Sequence, residues 1–240
     1  MTNADTIPLA EWPTTWWTRL DDGRVRCDVC PRACSLHEGQ QGLCFVRARA
    51  GDAIVLTTYG RSSGFCVDPI EKKPLNHFLP GTPVLSFGTA GCNLACRYCQ
   101  NWDISKSRQT DTLADAASPE EIAHAAVTTG CSSVAFTYND PVVFLEYAAD
   151  AAAACHAAGL YTVAVSAGYV CAGPREQLFS QMDAANIDLK AMDDRFYRRV
   201  CKASLAPVLR AIEQFVAAGV HLELTNLVIP GHNDDDAAIE

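Results

Sequence analysis

The chain has 240 residues, of which 49% are hydrophobic and 20% are charged. That balance permits a sizeable buried core and excludes a disordered chain. With 28 acidic against 19 basic residues the net charge is −9. This argues against a general nucleic-acid-binding protein, which needs a basic face. No run of about 18 apolar residues is present, so no membrane span is expected. Residues 1–20 lack the features of a signal peptide, and we therefore expect a cytoplasmic protein.

Cysteine is the unusual component, with twelve among the 240 positions. Seven of the twelve fall into two groups. The groups are Cys27, Cys30, Cys34 and Cys44, and then Cys92, Cys96 and Cys99. In a reducing compartment, clustered thiols at gaps of two and three residues indicate metal ligands rather than disulfides. The scattered Cys131, Cys155, Cys171 and Cys201 are expected to pack as small hydrophobic residues.

Residues 1–83 are rich in cysteine and turn-forming residues and predict a small N-terminal domain. Its clearest regular element is a β-hairpin over Phe45–Arg49 and Ala53–Tyr59, with Gly51 in the turn. The stretch Asp68–Pro83 contains four prolines. We expect it to be an ordered connector that is neither helix nor strand.

Residues 84–240 alternate short apolar runs with helical patterns. The predicted strands are Val84–Gly88, Ser132–Thr137, Leu160–Val165, Ile187–Ala191 and His221–Ile229. Ser118 and Glu121 form a capping box that predicts a helix starting at Pro119. Strands that alternate with helices predict an α/β fold, a partial (β/α) barrel with the chemistry at the carboxyl ends of its strands.

The second region is short for a barrel. A complete eight-unit barrel takes about 250 residues, and no sixth strand follows His221–Ile229 in the sequence. Ala237–Glu240 is predicted to begin a helix. We therefore expect a barrel truncated after the fifth strand, whose largely apolar edge invites pairing with another chain.

The segment Gly91–Cys99 (GCNLACRYC) has the spacing C-x3-C-x2-C directly after the first of these strands. Three thiolates can hold three corners of a [4Fe–4S] cluster, whose full set is four cysteines. No fourth cysteine follows within 30 residues, so one iron would stay open for a substrate. Structural zinc normally takes four protein ligands. The alternative is that these are core thiols or part of a zinc knuckle.

This motif resembles the signature of the radical S-adenosylmethionine (SAM) superfamily, C-x3-C-x-aromatic-C, with Tyr98 at the aromatic position. The resemblance implies that SAM binds the fourth iron through its amino and carboxylate groups. One electron from the cluster then cleaves SAM to methionine and a 5′-deoxyadenosyl radical, which abstracts hydrogen from a substrate.

Longer stretches are similar to relatives of pyruvate formate-lyase activating enzyme, and among them to the AmmeMemoRadiSam system radical SAM enzymes. The stretches are Asp68–Pro80, Leu85–Cys92, Cys99–Ser105, Thr137–Pro141, Ile187–Lys190 and Val228–Asp234. The resemblance assigns SAM contacts to Tyr138, Asn139 and Asp140, and it places Ser166 where relatives often show Asn-Gly. It also implies an electron donor such as flavodoxin or ferredoxin and, for activating enzymes, a partner protein as substrate.

Asp188 and Lys190 are two residues apart at the end of the fourth predicted strand, so their side chains share a face. If that face points into the barrel, they can contact the ribose or carboxylate of SAM. The alternative is a buried structural ion pair.

The N-terminal group of Cys27, Cys30, Cys34 and Cys44 is a full set of four ligands. It suits structural zinc or a second [4Fe–4S] cluster, and the spacing alone does not separate the two. A metal there would supply folding energy to a region with little core of its own. The alternative is unliganded thiols.

The sequence as a whole predicts a radical SAM iron–sulfur enzyme that acts on an unknown substrate. One alternative is an activating enzyme that abstracts a glycine hydrogen from a partner protein. An alternative from another class is a non-catalytic iron–sulfur or zinc scaffold protein.

Overall fold

Residues 11–106, 113 and 115–236 are described in this computed structural model. Fourteen short strands and six α-helices lie within these ranges. The strands are β1 (Trp12–Pro13), β2 (Trp17–Arg19), β3 (Val25–Cys27), β4 (Ser35–Leu36), β5 (Arg47–Ala50), β6 (Ala53–Leu56), β7 (Arg61–Ser62), β8 (Phe65–Pro69), β9 (Pro83–Phe87), β10 (Asp115–Ala116), β11 (Ser133–Phe136), β12 (Tyr161–Ser166), β13 (Ala184–Asp188) and β14 (His221–Thr225). The helices are α1 (Trp102–Ser105), α2 (Pro119–Thr128), α3 (Leu145–Ala157), α4 (Ala172–Phe179), α5 (Asp194–Phe196) and α6 (Leu205–Ala218).

The largest sheet has six strands in the order β14-β13-β12-β11-β9-β8. The strands β9, β11, β12, β13 and β14 run parallel, which confirms the five strands expected in the second region. The sixth strand, β8, is antiparallel to β9. Since β8 and β14 stand at opposite ends of this order, the described strands form an open mixed sheet and not a closed barrel.

The prediction that Asp68–Pro83 contains neither helix nor strand is wrong at both ends, and at the second end Pro83 is the first residue of β9. Asp68 and Pro69 are the last residues of β8, and Ile70–Lys72 forms a single 3-10 turn. Pro69 fits because β8 is an edge strand, where a missing N–H does not interrupt a ladder on both sides. This short strand carried no clear alternation in the sequence, and it is stabilised by pairing with β9.

Beyond this turn the connector covers one face of the sheet. Ile70 and Leu75 are fully buried, and Phe78 packs beside them. Their partners on the sheet are Val84, Ala135, Val163 and Ala184. Two backbone N–H groups of the connector, at Asn76 and His77, also donate to the Glu223 carboxylate on β14, at 2.8 and 2.9 Å.

The main core lies on the opposite face of the sheet. There, side chains of β9 and β11, such as Phe87 and Phe136, pack with helix residues such as Ile122 and Tyr147. Hydrophobic residues of the N-terminal strands, including Leu56, belong to the same cluster. The N-terminal strands therefore pack directly on the α/β part of the chain.

Several element boundaries differ from the sequence expectations. The fourth parallel strand is Ala184–Asp188 instead of Ile187–Ala191, because its small residues pair with β12. The fifth ends at Thr225 and not at Ile229. The hairpin is confirmed as β5 and β6, and the capping box of α2 is present as predicted.

The outer edge of β14 is where a sixth parallel strand would pair, and the expected truncation stays a prediction. Among the described residues, no further strand pairs with the outer edge of β14. The helix predicted from Ala237–Glu240 lies outside the described residues. Within the part of the chain that the structure describes, no helix combines the length and the apolar character needed to cross a membrane.

Candidate active site

A cavity of about 360 Å³ opens at the carboxyl ends of the parallel strands. All ten residues that the sequence assigned to the cluster and to SAM line it. These are Cys92, Cys96, Tyr98, Cys99, Tyr138, Asn139, Asp140, Ser166, Asp188 and Lys190. The sequence reasoning missed further lining residues, among them Pro74, Asn101, Thr137, Ala167, Thr225 and Leu227. Thr137 and Ala167 directly follow the parallel strands β11 and β12, and that position in the sequence was the signal that could have identified them.

The loop that carries the three cysteines is held from two sides. On one side, the backbone N–H groups of Ala95 and Arg97 donate to the carbonyl oxygens of Cys201 and Val200, at 2.9 and 3.1 Å. On the other side, Asn139 binds the start of the loop. These contacts fix the backbone between the three thiols, and each thiol is partly exposed toward the cavity.

The side chain of Asn139 uses its whole amide on this loop. Its Nδ2 donates to Thr89 Oγ1, Ala90 O and Gly91 O, at 3.1, 3.1 and 2.9 Å. Its Oδ1 accepts from the N–H of Thr89 at 3.0 Å. Asn139 is only 5% exposed. Its observed contacts therefore position the cysteine loop, and its expected contact with SAM stays a prediction.

Gly88 allows this close approach. A Cβ at position 88 would lie 2.6 Å from Asn139 Oδ1 and would collide with the carbonyl oxygen of Thr137. Glycine is therefore required where β9 passes into the cysteine loop.

Cys201 is a neighbour of this site, although the sequence predicted for it only a role in core packing. It is fully buried, as expected, but its sulfur lies 3.7 Å from the Tyr98 hydroxyl and contacts the Cys96 thiol. A hydrogen bond from Cys96 lowers the pKa of Cys201 to about 7, and the same contact raises the pKa of Cys96. The loop therefore has a fourth thiol behind it, contributed by a segment 105 positions beyond Cys96.

Tyr138 joins the loop after β11 to the connector. Its backbone is left-handed, with φ of 68°, and Asn101 Nδ2 donates to its carbonyl at 2.7 Å. Its hydroxyl donates to Asp68 at 3.2 Å, and the Lys73 ammonium lies 5.0 Å from the centre of its ring. A left-handed backbone at a tyrosine is strained, and strain of this kind is concentrated at functional sites.

Asp140 links the second and third parallel strands. It is buried, and its carboxylate accepts from Ser166 Oγ and Ala167 N, both at 2.9 Å, and from Val142 N at 3.1 Å. Burial raises the pKa of Asp140 in spite of these donors. The carboxylate holds the segment after β12 at the cavity wall.

Asp188 and Lys190 form an ion pair on the cavity wall, with Lys190 Nζ 2.6 Å from Asp188 Oδ2. The ion pair of the second interpretation is present, and both residues line the cavity; their contact with SAM stays a prediction. Burial disfavours the ammonium, but the neighbouring Asp188 raises the pKa of Lys190 above its usual value. Lys190 is therefore a permanent cation in the wall.

The donor set fits a [4Fe–4S] cluster. Among the described residues, no group of three or more His, Cys, Asp or Glu side chains is arranged to hold a single metal ion. A cubane cluster is bound differently, because each thiolate binds its own iron. Three thiols on one fixed loop, all facing one cavity, supply such ligands at Cys92, Cys96 and Cys99.

The N-terminal cysteines lie around a second, smaller cavity. Cys27, Cys30, Cys34 and Cys44 all line it, together with Arg32, Arg47 and Asn93. Burial raises the pKa of Cys27 to about 11 and raises those of Cys30 and Cys44 as well. In all, the structure contains no disulfide at any of the twelve cysteines, each of which lies in the described ranges.

These features define the class of protein. It is an α/β protein with a cysteine loop and a polar cavity at the carboxyl ends of its parallel strands. The sequence model of the Radical SAM superfamily matches residues 87–239. The chain therefore belongs to the radical SAM superfamily, whose members are generally enzymes, and membership implies a [4Fe–4S] cluster and SAM as cofactors.

Two curated proteins are similar to this chain. Uncharacterized protein MJ0808 of Methanocaldococcus jannaschii is 38% identical over 220 residues, which are 92% of this chain and 65% of that protein. The benzylsuccinate synthase activating enzyme of Thauera aromatica is 30% identical over 108 residues, 45% of this chain and 33% of that enzyme. The chain thus spans less than two thirds of the length of these curated relatives.

Solved structures show a more distant similarity. A domain of pyruvate-formate lyase-activating enzyme from Bacteroides vulgatus is 20% identical, with a TM-score of 0.42 over 45% of this chain and 67% of that one. A structure of TYW1 with a lysine-pyruvate adduct is 17% identical, with a TM-score of 0.41 over 63% of this chain and 57% of that one.

Proposed function

We propose that this chain belongs to an enzyme that binds a [4Fe–4S] cluster through Cys92, Cys96 and Cys99 and uses it to cleave SAM reductively. One observation carries the proposal: three thiols without a fourth on their loop face a cavity that is also lined by polar groups at or just after the ends of β11, β12 and β13. When bound, the cluster would supply the electron that breaks a sulfonium C–S bond of SAM, which would give methionine and a 5′-deoxyadenosyl radical for hydrogen abstraction from the substrate.

The residues of this chain have separate tasks in that reaction. The three cysteines hold iron, and Asn139 with the backbone of residues 200–201 keeps their loop in one conformation. Lys190 presents a cation that suits the carboxylate of SAM, and Asp188 can accept from its ribose hydroxyls. Pro74 of the connector and Leu227 beyond β14 are apolar parts of the wall, and they help to exclude water from the radical.

The experiment is SAM cleavage by the full chain after anaerobic reconstitution with iron and sulfide and reduction with dithionite. The expected products are 5′-deoxyadenosine and methionine. Replacing any one of Cys92, Cys96 and Cys99 by alanine should abolish both. The matched control is Cys66→Ala, because Cys66 is exposed and lines neither cavity. Absence of cleavage by the reconstituted parent chain, or full cleavage by a triad variant, would refute the proposal.

The role of Lys190 has its own test. Replacing Lys190 by Gln removes a charge-assisted contact worth about 1.5–3 kcal/mol. The KM for SAM should therefore rise about 10-fold or more, since each 1.4 kcal/mol is a factor of ten. Lys190→Arg should retain most of the affinity. An unchanged KM in the Gln variant would assign Lys190 to structure alone.

Activating-enzyme chemistry is a second candidate, favoured by the identity with the benzylsuccinate synthase activating enzyme. The substrate would then be a glycine of a partner protein, and the electron would come from a donor such as flavodoxin or ferredoxin. We place this chemistry in the cytoplasm, where clustered thiols stay reduced. Deuterium transfer into 5′-deoxyadenosine separates the candidates. For an activating enzyme, the deuterium in 5′-deoxyadenosine must come from a protein with deuterated glycine. For the other candidate, it must come from a deuterated small molecule.

A further inference from the structure

The second cysteine group lines one small cavity. Cys27 ends β3, Cys30 and Cys34 lie in the turn that follows, and Cys44 lies in the turn before β5. The backbone N–H of Cys27 donates to the carbonyl of Cys34 at 2.9 Å, which closes the turn on itself. All four side chains line the same small cavity, although Cys44 is ten positions away from the nearest of the others. The fold has thus brought a complete set of thiols to one place.

A half-buried arginine with one unpartnered nitrogen, Arg32, lines the same cavity, and its guanidinium lies 5.8 Å from the centre of the Tyr169 ring. Arg32 Nη2 is buried and has no hydrogen-bond partner among the described residues, while its Nε donates to the carbonyl of Asn93 at 2.8 Å. Arg47, which also lines the cavity, differs because both of its Nη atoms bind Glu146, at 3.1 and 2.6 Å. A buried donor left unpaired costs about 1–3 kcal/mol. An acceptor in the cavity, above all one of negative charge, would therefore be stabilised by Arg32 Nη2.

The order of the cysteines favours one kind of centre. In ferredoxins, three closely spaced cysteines and one remote cysteine bind a cubane cluster. Structural zinc sites more often take their ligands as two separate pairs. Here Cys27, Cys30 and Cys34 lie within eight residues, and Cys44 is remote. A cubane held by four thiolates carries net negative charge and sulfide acceptors, which match the unpaired donor of Arg32.

We propose that Cys27, Cys30, Cys34 and Cys44 bind a second [4Fe–4S] cluster, with Arg32 donating to it. The site needs no SAM and no open iron, since all four irons have a thiolate. The proposal therefore stands independently of the proposed function, except where it concerns the neighbouring first cluster.

The second site lies directly behind the loop of the first. Cys92 lines the cavity at the carboxyl ends of the parallel strands, and the next residue, Asn93, lines the second cavity. The carbonyl oxygen of Cys44 occupies the position that a Cβ at residue 91 would take, so the two segments are in contact at Gly91. Two clusters in these places would be separated by little more than the backbone of one loop segment. They are expected to interact magnetically when both are reduced.

The decisive experiment uses the full chain with Cys92, Cys96 and Cys99 all replaced by alanine. After anaerobic reconstitution with iron and sulfide, this variant should retain about four iron and four sulfide per chain, one cubane. The parent chain should bind about twice that amount, and Cys66→Ala should match the parent. One zinc per chain in the triad variant, or no metal, would overturn the proposal. Failure of SAM cleavage would not affect this measurement, so the two proposals fail separately.

Two further measurements test the details. In the triad variant, Arg32→Gln should make the reduction potential of the remaining cluster more negative, because a positive donor is lost, and Arg32→Lys should shift it less. An unchanged potential would refute the role of Arg32.

In the parent chain, the electron paramagnetic resonance signals of the two reduced clusters should be broadened relative to the triad variant. A simple sum of independent signals would refute the adjacency.

Discussion

Replacing Asn139 tests how much its side-chain amide contributes to holding the cysteine loop. Asn139→Ala removes the contacts to the N–H of Thr89 and to the carbonyls of Ala90 and Gly91. Each hydrogen bond contributes about 1 kcal/mol, and each buried group left unpaired costs about 1–3 kcal/mol. Because the site is buried and water cannot replace the amide fully, we expect a loss of about 3–5 kcal/mol of unfolding free energy.

The informative comparison is Asn139→Asp, which keeps the shape of the side chain. A carboxylate can accept from Thr89 N, but its second oxygen would face the oxygens of Thr89, Ala90 and Gly91. We therefore expect Asn139→Asp to be at least as destabilising as Asn139→Ala. The exposed Asn226, which makes one side-chain hydrogen bond, to Leu189 O at 2.7 Å, provides the control. Its alanine variant should lose no more than about 1 kcal/mol.

The assay is urea unfolding of each full chain under anaerobic, reducing conditions, followed by circular dichroism. A second readout is the rate at which a chelator removes iron from the reconstituted chain, which should rise when the loop is loosened. If Asn139→Asp unfolds at the urea concentration of the parent and keeps its iron as long, the amide does not hold the loop and the reasoning is refuted.

Other substitutions test separate parts of the architecture. Gly88→Ala should strongly lower iron binding and stability, because the new Cβ would collide with the Thr137 carbonyl. Gly81→Ala is the control, since position 81 faces open space and the change should cost only about 1 kcal/mol of backbone strain. Equal effects of the two substitutions in urea unfolding would contradict this. Glu146→Gln should cost about 3–5 kcal/mol, since it leaves the buried guanidinium of Arg47 without its carboxylate; a loss below about 1 kcal/mol, as for a surface pair, would refute it. Hydrogen bonds from Lys73 and Lys72 hold the pKa of Asp68 well below its usual range. The stabilisation is therefore complete above the unfolded pKa of about 3.9 and is lost as the pH falls toward the folded value. Acid unfolding curves should show a flatter decline below about pH 4 for Asp68→Asn than for the parent, and parallel curves would count against the ion pair.

The site residues on the parallel strands could be predicted from the order of elements along the chain. Tyr138, Ser166 and Asp188 stand at or just after the ends of three successive strands. In a parallel sheet these ends share one edge, so residues far apart in sequence must converge there. The cysteine loop follows the same rule after β9. Errors of a few residues in the strand boundaries did not matter, because the edge of the sheet tolerates them.

The contacts around the loop could not be predicted in this way. Cys201 meets Cys96 because a π-helical turn at Tyr197–Cys201 brings it behind the loop, and Arg32 reaches Asn93 across 61 positions. Neither contact leaves a periodic trace in the sequence, because each depends on how separately formed elements pack. Sequence order was enough to place the chemistry at one edge of the sheet, since each crossover connection returns the chain to the same end and makes successive strands parallel. Which side chains support that chemistry depends on contacts between distant segments, and these exist only once the core has formed.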